Sequence, residues 1–163
     1  MDEFTSRHYP VREDMRFQRR SWIAERAGWI VLAVIALAGL TGIFGTGPLS
    51  WQVARSGTLT VHYDRFQRRT RLAAFRFDVA HTTGPELTLT LGGGFARDFD
   101  ISSIAPPVHS VARANGLALT FTAQAGASSR IIIWAHSHSY GRATLTAAVG
   151  SSAPASFWVF VYP

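Results

Sequence analysis

The sequence predicts one N-terminal transmembrane α-helix followed by an all-β domain, an antiparallel β-sandwich of about eight strands. Three observations carry this expectation. Residues Ala27 to Thr46 contain no charged side chain. After Pro48 the chain breaks into short runs of β-branched and alternating residues, separated by Gly, Pro, Asn and Ser clusters. Three of those runs, at 58–61, 87–91 and 117–122, alternate apolar residues with threonine or alanine in the period-two pattern of a half-buried strand.

The expected organisation is a cytoplasmic tail at 1–21, a transmembrane helix at 22–47, a linker at 48–57 and a periplasmic β-sandwich at 58–163. Twenty uncharged residues of helix rise about 30 Å, the thickness of a bilayer's hydrocarbon core. Trp22 and Trp29 lie near one end of the run and Trp51 just past the other, where amphipathic indoles prefer the interface. Arg12, Arg16, Arg19, Arg20 and Arg26 precede the run, whereas only Arg55 occurs soon after it. This asymmetry places the N-terminus in the cytoplasm and the domain in the periplasm of a bacterial inner membrane. Arg16, Arg19 and Arg20 would meet anionic lipid headgroups. Ala36-Leu37-Ala38 also fits a signal-peptide cleavage site, but the apolar run continues well past it.

Residues 1–14 carry no periodicity, while from Met15 a helical pattern can run straight into the span. Within the span, Ala38, Gly42 and Thr46 recur at spacing four with Gly39 and Gly45 beside them. Spacing four makes one stripe, where a second helix can approach closely, so Ala38, Gly39 and Gly42 are partner-binding candidates.

In the β region the expected strands are 58–63, 72–79, 86–91, 99–104, 117–122, 130–136, 142–148 and 157–162. The last, Phe157 to Tyr162, is apolar on both faces, so Trp158 and Phe160 could be covered twice or turned to a partner. Arg65, Arg68, Arg69 and Arg71 form the strongest charge cluster, read as a hairpin tip. Guanidinium forks bind carboxylates and phosphates, so an acidic partner or anionic headgroups suit them. An extracytoplasmic domain meets no nucleic acid.

Composition narrows the chemistry. The 163 residues include 16 arginines, no lysine and no cysteine, with a formal net charge of +6. Disulfides, thiolate metal sites, cysteine nucleophiles and lysine Schiff bases are excluded. His136 and His138 point the same way on a strand and are candidate metal ligands, the third to come from His62, His81, His109 or a carboxylate. The Gly-x-Ser-x-Gly elbow is absent. Gly92-Gly93-Gly94 is read as a turn with no helix opening after it, hence no phosphate cradle. Asp98 and Asp100 are too few for a calcium cage. No catalytic set and no cofactor are expected.

The succession Trp22-Ile23-Ala24-Glu25-Arg26, Gly45-x-Gly47-Pro48-Leu49-Ser50, Tyr63-Asp64-Arg65-Phe66-x-Arg68-Arg69 and Phe160-Val161-Tyr162-Pro163 resembles a family of uncharacterised bacterial single-span membrane proteins. The resemblance implies a cytoplasmic stub, one helix and a small periplasmic β-domain, and brings no catalytic residues with it. The expected role is a non-catalytic accessory subunit docking on a larger membrane complex. By analogy this could be an energy-converting one, photosynthetic reaction-centre–antenna or respiratory. The alternative is a stand-alone periplasmic binding or sensing module, metal-dependent through His136 and His138.

Overall fold

A computed structural model describes residues 15–41, 47–80, 86–113, 116–122 and 126–163. Helix α1 spans Met15–Leu40 and rises about 39 Å. It therefore takes in Met15 to Ser21, which the sequence reading assigned to the tail. Residues 42–46 of the expected span, Gly42 among them, lie outside the described residues. From Arg16 to Leu40 its length and composition suffice to cross a membrane, and its side chains are exposed all round except the half-buried Ala38. The Arg26 guanidinium lies 4.0 Å from the Trp22 ring centre, one turn away on the same face. The Thr41 hydroxyl donates to the Ala38 carbonyl at 2.8 Å, satisfying one of the acceptors a helix C-terminus leaves open. Two compact units result, one ending at Leu37 and the other spanning Ala38–Pro163.

The second unit is a β-sandwich of two sheets. The first sheet holds β1 (Trp51–Ser56), β2 (Leu59–Asp64), β4 (Ala73–Val79), β9 (Ser129–Ser137) and β6 (Phe99–Ala105), in that order. The second holds β3 (Phe66–Arg68), β11 (Ala155–Tyr162), β10 (Gly141–Val149), β5 (Glu86–Gly93), β8 (Gly116–Thr122) and β7 (His109–Arg113). All eight expected strands are present, and β1, β3 and β7 bring the described total to eleven. Each addition has a physical reason for its faint signal. The β1 residues facing inward are Gln52, Ala54 and Ser56, and those facing outward include Trp51 and Val53, so its hydropathy alternation is inverted. Most of the expected linker 48–57 is thus a strand. The β3 strand has only three residues, and all five of β7 are exposed.

The sandwich is not wholly antiparallel. Strand β3 pairs β11 in parallel, Phe160 opposite Phe66 and Tyr162 opposite Arg68. The chain leaves β2 in one sheet, crosses at Arg65 and enters the other sheet beside β11.

The two inner faces meet in one core. Val61, Phe75, Phe77, Ile131 and Ile133 of the first sheet and Leu89, Leu91, Leu119, Leu145 and Val159 of the second are fully buried. Each such aliphatic or phenyl side chain contributes roughly 1.5–3 kcal/mol. Contrary to the sequence expectation, a single-turn helix, α2 (Phe95–Asp98), opens after the glycine triplet. Its Phe95 drops between the sheets and packs on Phe75, Phe77, Phe99 and Phe157, with centroid separations of 5.1, 6.3, 5.9 and 6.2 Å. No anion cradle forms there: a Cβ at Gly94 would lie 2.4 Å from Oδ2 of Asp98, so the chain's own carboxylate fills the space.

Candidate functional site

Strand direction gathers one set of segments at one end of the sandwich: the start of β1, the crossing from β2 through β3 to β4, the turn between β9 and β10, and the end of β11. The chain enters the domain here. Leu49 N donates to Thr41 O at 3.1 Å, which holds the residue following α1 against this end. Ser50 is fully buried and works as a clamp. Its hydroxyl accepts from Phe66 N at 3.1 Å and lies 3.3 Å from Phe66 O, and its carbonyl accepts from Arg65 N at 2.6 Å. Arg65 O in turn accepts from Phe160 N at 2.7 Å. One residue thereby joins the entry strand of one sheet to the last strand of the other.

The outward residues of β11 form an aromatic ladder. Phe160 and Tyr162 meet edge to face at 5.0 Å, and Phe66 approaches Tyr162 at 6.2 Å from the neighbouring strand. Trp158 lies under two guanidiniums, Arg65 at 4.5 Å and Arg142 at 4.9 Å. Trp158, Phe160, Tyr162 and Phe66 are all half-buried. The final strand is therefore neither covered twice nor a flat apolar face: Phe157, Val159 and Val161 fill the core while the ladder looks outward. Both cations gain from the quadrupole of the indole ring. Arg65 Nε is buried without a hydrogen-bond partner, and it is the ring that receives its charge.

Arg65 thus differs from the solvated hairpin-tip residue the sequence suggested. Arg68, Arg69 and Arg71 do match that description and are exposed. They lie on a turn closed by Arg71 N to Arg68 O at 3.0 Å, and pinned to the last strand by Arg69 N to Tyr162 O at 3.0 Å. Within the turn region Asp64 is half-buried, and burial raises its carboxyl above the ordinary carboxylate range despite the opposing charge of Arg71.

Among the described residues the histidine pair belongs to no group of three metal-ligand side chains. His136 points outward from β9 opposite Asp100, while His138 follows the strand end. The His138 ring engages Arg97 O through Nε2 and faces Asp100 Oδ2 at 3.4 Å through Nδ1. His62 lies 3.4 Å from Asp78, which also binds Arg130 at 2.6 Å. His109 is on the exposed edge strand β7, and His81 lies outside the described residues. Among the described residues no group of three or more His, Asp or Glu could hold a metal ion. Asp98 has a structural partner instead: Arg97 grips it with two bonds of 2.9 Å and holds its carboxyl below the ordinary range.

Two grooves flank this end. One, about 420 Å³, crosses the outer face of the first sheet between Trp51 and Ile132, with His62, Asp64 and Arg76 at its floor. The other, about 500 Å³, opens where edge strands β6 and β7 fail to close the sandwich, lined by Phe95, Phe99, Ile101, Ile104 and Leu117.

Of the candidates from sequence, the fold brings Arg65, Arg68, Arg69, Arg71, Trp158 and Phe160 together. Ala38 and Gly39 are on α1, and Gly42 lies outside the described residues. Sequence reasoning missed Arg142, whose signal was topological: only its pairing opposite Phe160 brings that arginine to the ladder. No protein-family model matches the chain, and no curated protein matches it.

Proposed function

We propose that this chain is a non-catalytic, single-span accessory subunit that docks on and stabilises a larger bacterial membrane protein complex. Helix α1 anchors it in the inner membrane, with the N-terminus cytoplasmic and the domain periplasmic as the arginine asymmetry requires. One observation carries the reading: the outward ladder of Trp158, Phe160, Tyr162 and Phe66, set with Arg65 and Arg142. Tyr, Trp and Arg are the residue types that dominate binding energy at protein interfaces. Here they are held rigid by strand pairing, so little side-chain freedom remains to be lost on docking. Ala38 and Gly39 let another helix approach α1 closely for a second contact, and Gly42 is the further candidate of the same sequence stripe. The resemblance to bacterial single-span proteins supports the topology, and by analogy the host could be an energy-converting complex.

Native electrophoresis of gently solubilised membranes tests this. The wild-type chain should migrate with a large complex. Trp158→Ala should weaken association by about 2 kcal/mol, a loss of roughly thirtyfold. Gly42→Leu with Ala38→Leu should release the chain while leaving membrane insertion intact. Migration of the wild-type chain as a free monomer overturns the proposal.

A further inference from the structure

We infer that the loop-bearing end of the domain, at Leu49, Trp51, the Arg68–Leu72 turn and Tyr140, docks on the anionic headgroups of a phospholipid bilayer. This rests on the reading of α1 as a membrane anchor but not on the presence of any partner protein.

Two properties of that end point to a lipid surface. The first is its mixture of residues. Leu49, Trp51, Leu72 and Tyr140 are 49%, 63%, 42% and 73% exposed, and they are four of the six large apolar residues exposed among the described part of the domain. Among them project Arg68, Arg69 and Arg71, also exposed. No salt bridge among the described residues engages these three arginines, and of the acidic groups at the same end only Asp100 is exposed, while Asp64 lies within the field of Arg71. Asp98 is bound by Arg97, Asp100 faces His138, and Asp64 is half-buried. Indole and phenol rings favour the headgroup level, and guanidiniums pair with phosphates there.

The second property is polarity along the sandwich. Among the described residues, the opposite end carries the small, polar turns at 57–58 and 150–152 and the connection at 106–108, with Arg130 tied to Asp78. Only the basic, apolar-tipped end receives the chain from α1, through the Leu49 to Thr41 bond. The tether and the charge therefore favour the same end.

The absence of cysteine makes a probe simple to place. The full-length chain is put alone into nanodiscs of neutral phosphatidylcholine, or with about 30% phosphatidylglycerol, with a nitroxide on Thr70→Cys or on Ser151→Cys as the far-end control. Each arginine near an anionic surface favours contact about fivefold, so three together give about a hundredfold bias. The Thr70 probe should lose at least threefold of its accessibility to a water-soluble relaxant in anionic discs. Salt at about 0.5 M should restore it, since exposed charges are then screened within a few ångströms. The Ser151 probe should stay aqueous throughout. Arg68→Gln, Arg69→Gln and Arg71→Gln together should abolish the anionic effect with circular dichroism unchanged, and the salt response of the unsubstituted arginines gives the same answer without them. Equal accessibility of the Thr70 probe in both lipids overturns the inference, as does equal shielding of the Ser151 probe. Shielding of Thr70 only in the purified native complex overturns it in favour of a protein partner. Failure of the chain to insert in any disc overturns the anchor reading itself, whereas loss of native co-migration with lipid docking intact overturns only the accessory role.

Discussion

Truncating Phe95 to alanine tests whether α2 is a structural plug. The ring is 1% exposed and makes contacts with four other phenylalanines between the sheets. Its edge-to-face meeting with Phe75 at 5.1 Å and 69° has the favoured geometry for an aromatic pair, adding about 0.5–1.5 kcal/mol beyond burial. Removing a fully buried phenyl costs about 3–5 kcal/mol, because its neighbours belong to strands that cannot collapse into the void. That is a large part of the 5–15 kcal/mol typical of a domain. For a domain of this size each kcal/mol lowers Tm by about 4 °C, so a fall of about 12–20 °C is expected. The measurement is near-UV circular dichroism of the full chain in detergent during heating, where ring asymmetry reports packing. Phe95→Leu should lose less than half as much, since it retains most of the volume. A Phe95→Ala loss below about 1 kcal/mol would refute the reasoning, because a ring with four aromatic neighbours cannot be that dispensable.

Two carboxylates should shift stability with pH in opposite directions. Arg97 lowers the pKa of Asp98 below its ordinary 3.8, so the folded state binds fewer protons than the unfolded one between those values. The stabilisation is complete above the unfolded pKa and is lost as pH falls through the folded one. Asp98→Asn should therefore destabilise the domain at neutral pH, and the difference should shrink on acidification, as read by denaturant titration. Burial raises the pKa of Asp64 above 3.8, so stability falls as pH rises from that value through the higher folded one. Asp64→Asn should be the more stable form at pH 7 and should lose its advantage in acid; a constant difference across pH would overturn this assignment.

Most of the fold was legible because its signal is local. The eight strands found in the sequence have an inward apolar row, as in Phe75-x-Phe77-x-Val79 of β4 or Ile131-x-Ile133-x-Ala135 of β9. Strands without that row escaped notice. β1 turns its larger residues outward, β3 is defined by its partner β11, and β7 lies at an edge where neither face is covered. Phe95 illustrates the same limit: four residues cannot display a helical period, and only the sheets around them give the phenyl a place to go. At the candidate site, the sequence displayed the arginine cluster and the apolar last strand as separate features. Their union depends on the parallel β3–β11 pairing, which sets Phe66 against Phe160 and carries Arg65 to Trp158. Nothing within 65–71 alone distinguishes the arginine that stacks from the three that stay in solvent.

The clamp at Ser50 fits the docking role proposed for the ladder. A docking surface whose strands and side chains must be ordered on binding loses that freedom, and the cost subtracts from affinity. Here Ser50 is buried, and its hydroxyl and carbonyl hold Phe66 and Arg65. Arg65 is bonded onward to Phe160, and the Ser56 hydroxyl closes the same flank further along by donating to Ala153 O at 2.7 Å. The ladder is thus connected through three residues to the point at which the chain enters the domain. From Ser50 onward the two sheets hold the ladder in a fixed geometry relative to the entry point. On the opposite flank, open between β6 and β7, the irregularity at Ser102 interrupts an edge that could otherwise extend with another strand. These bonds lie along the flank that carries the arginines and aromatic rings, where preorganisation would favour the proposed docking.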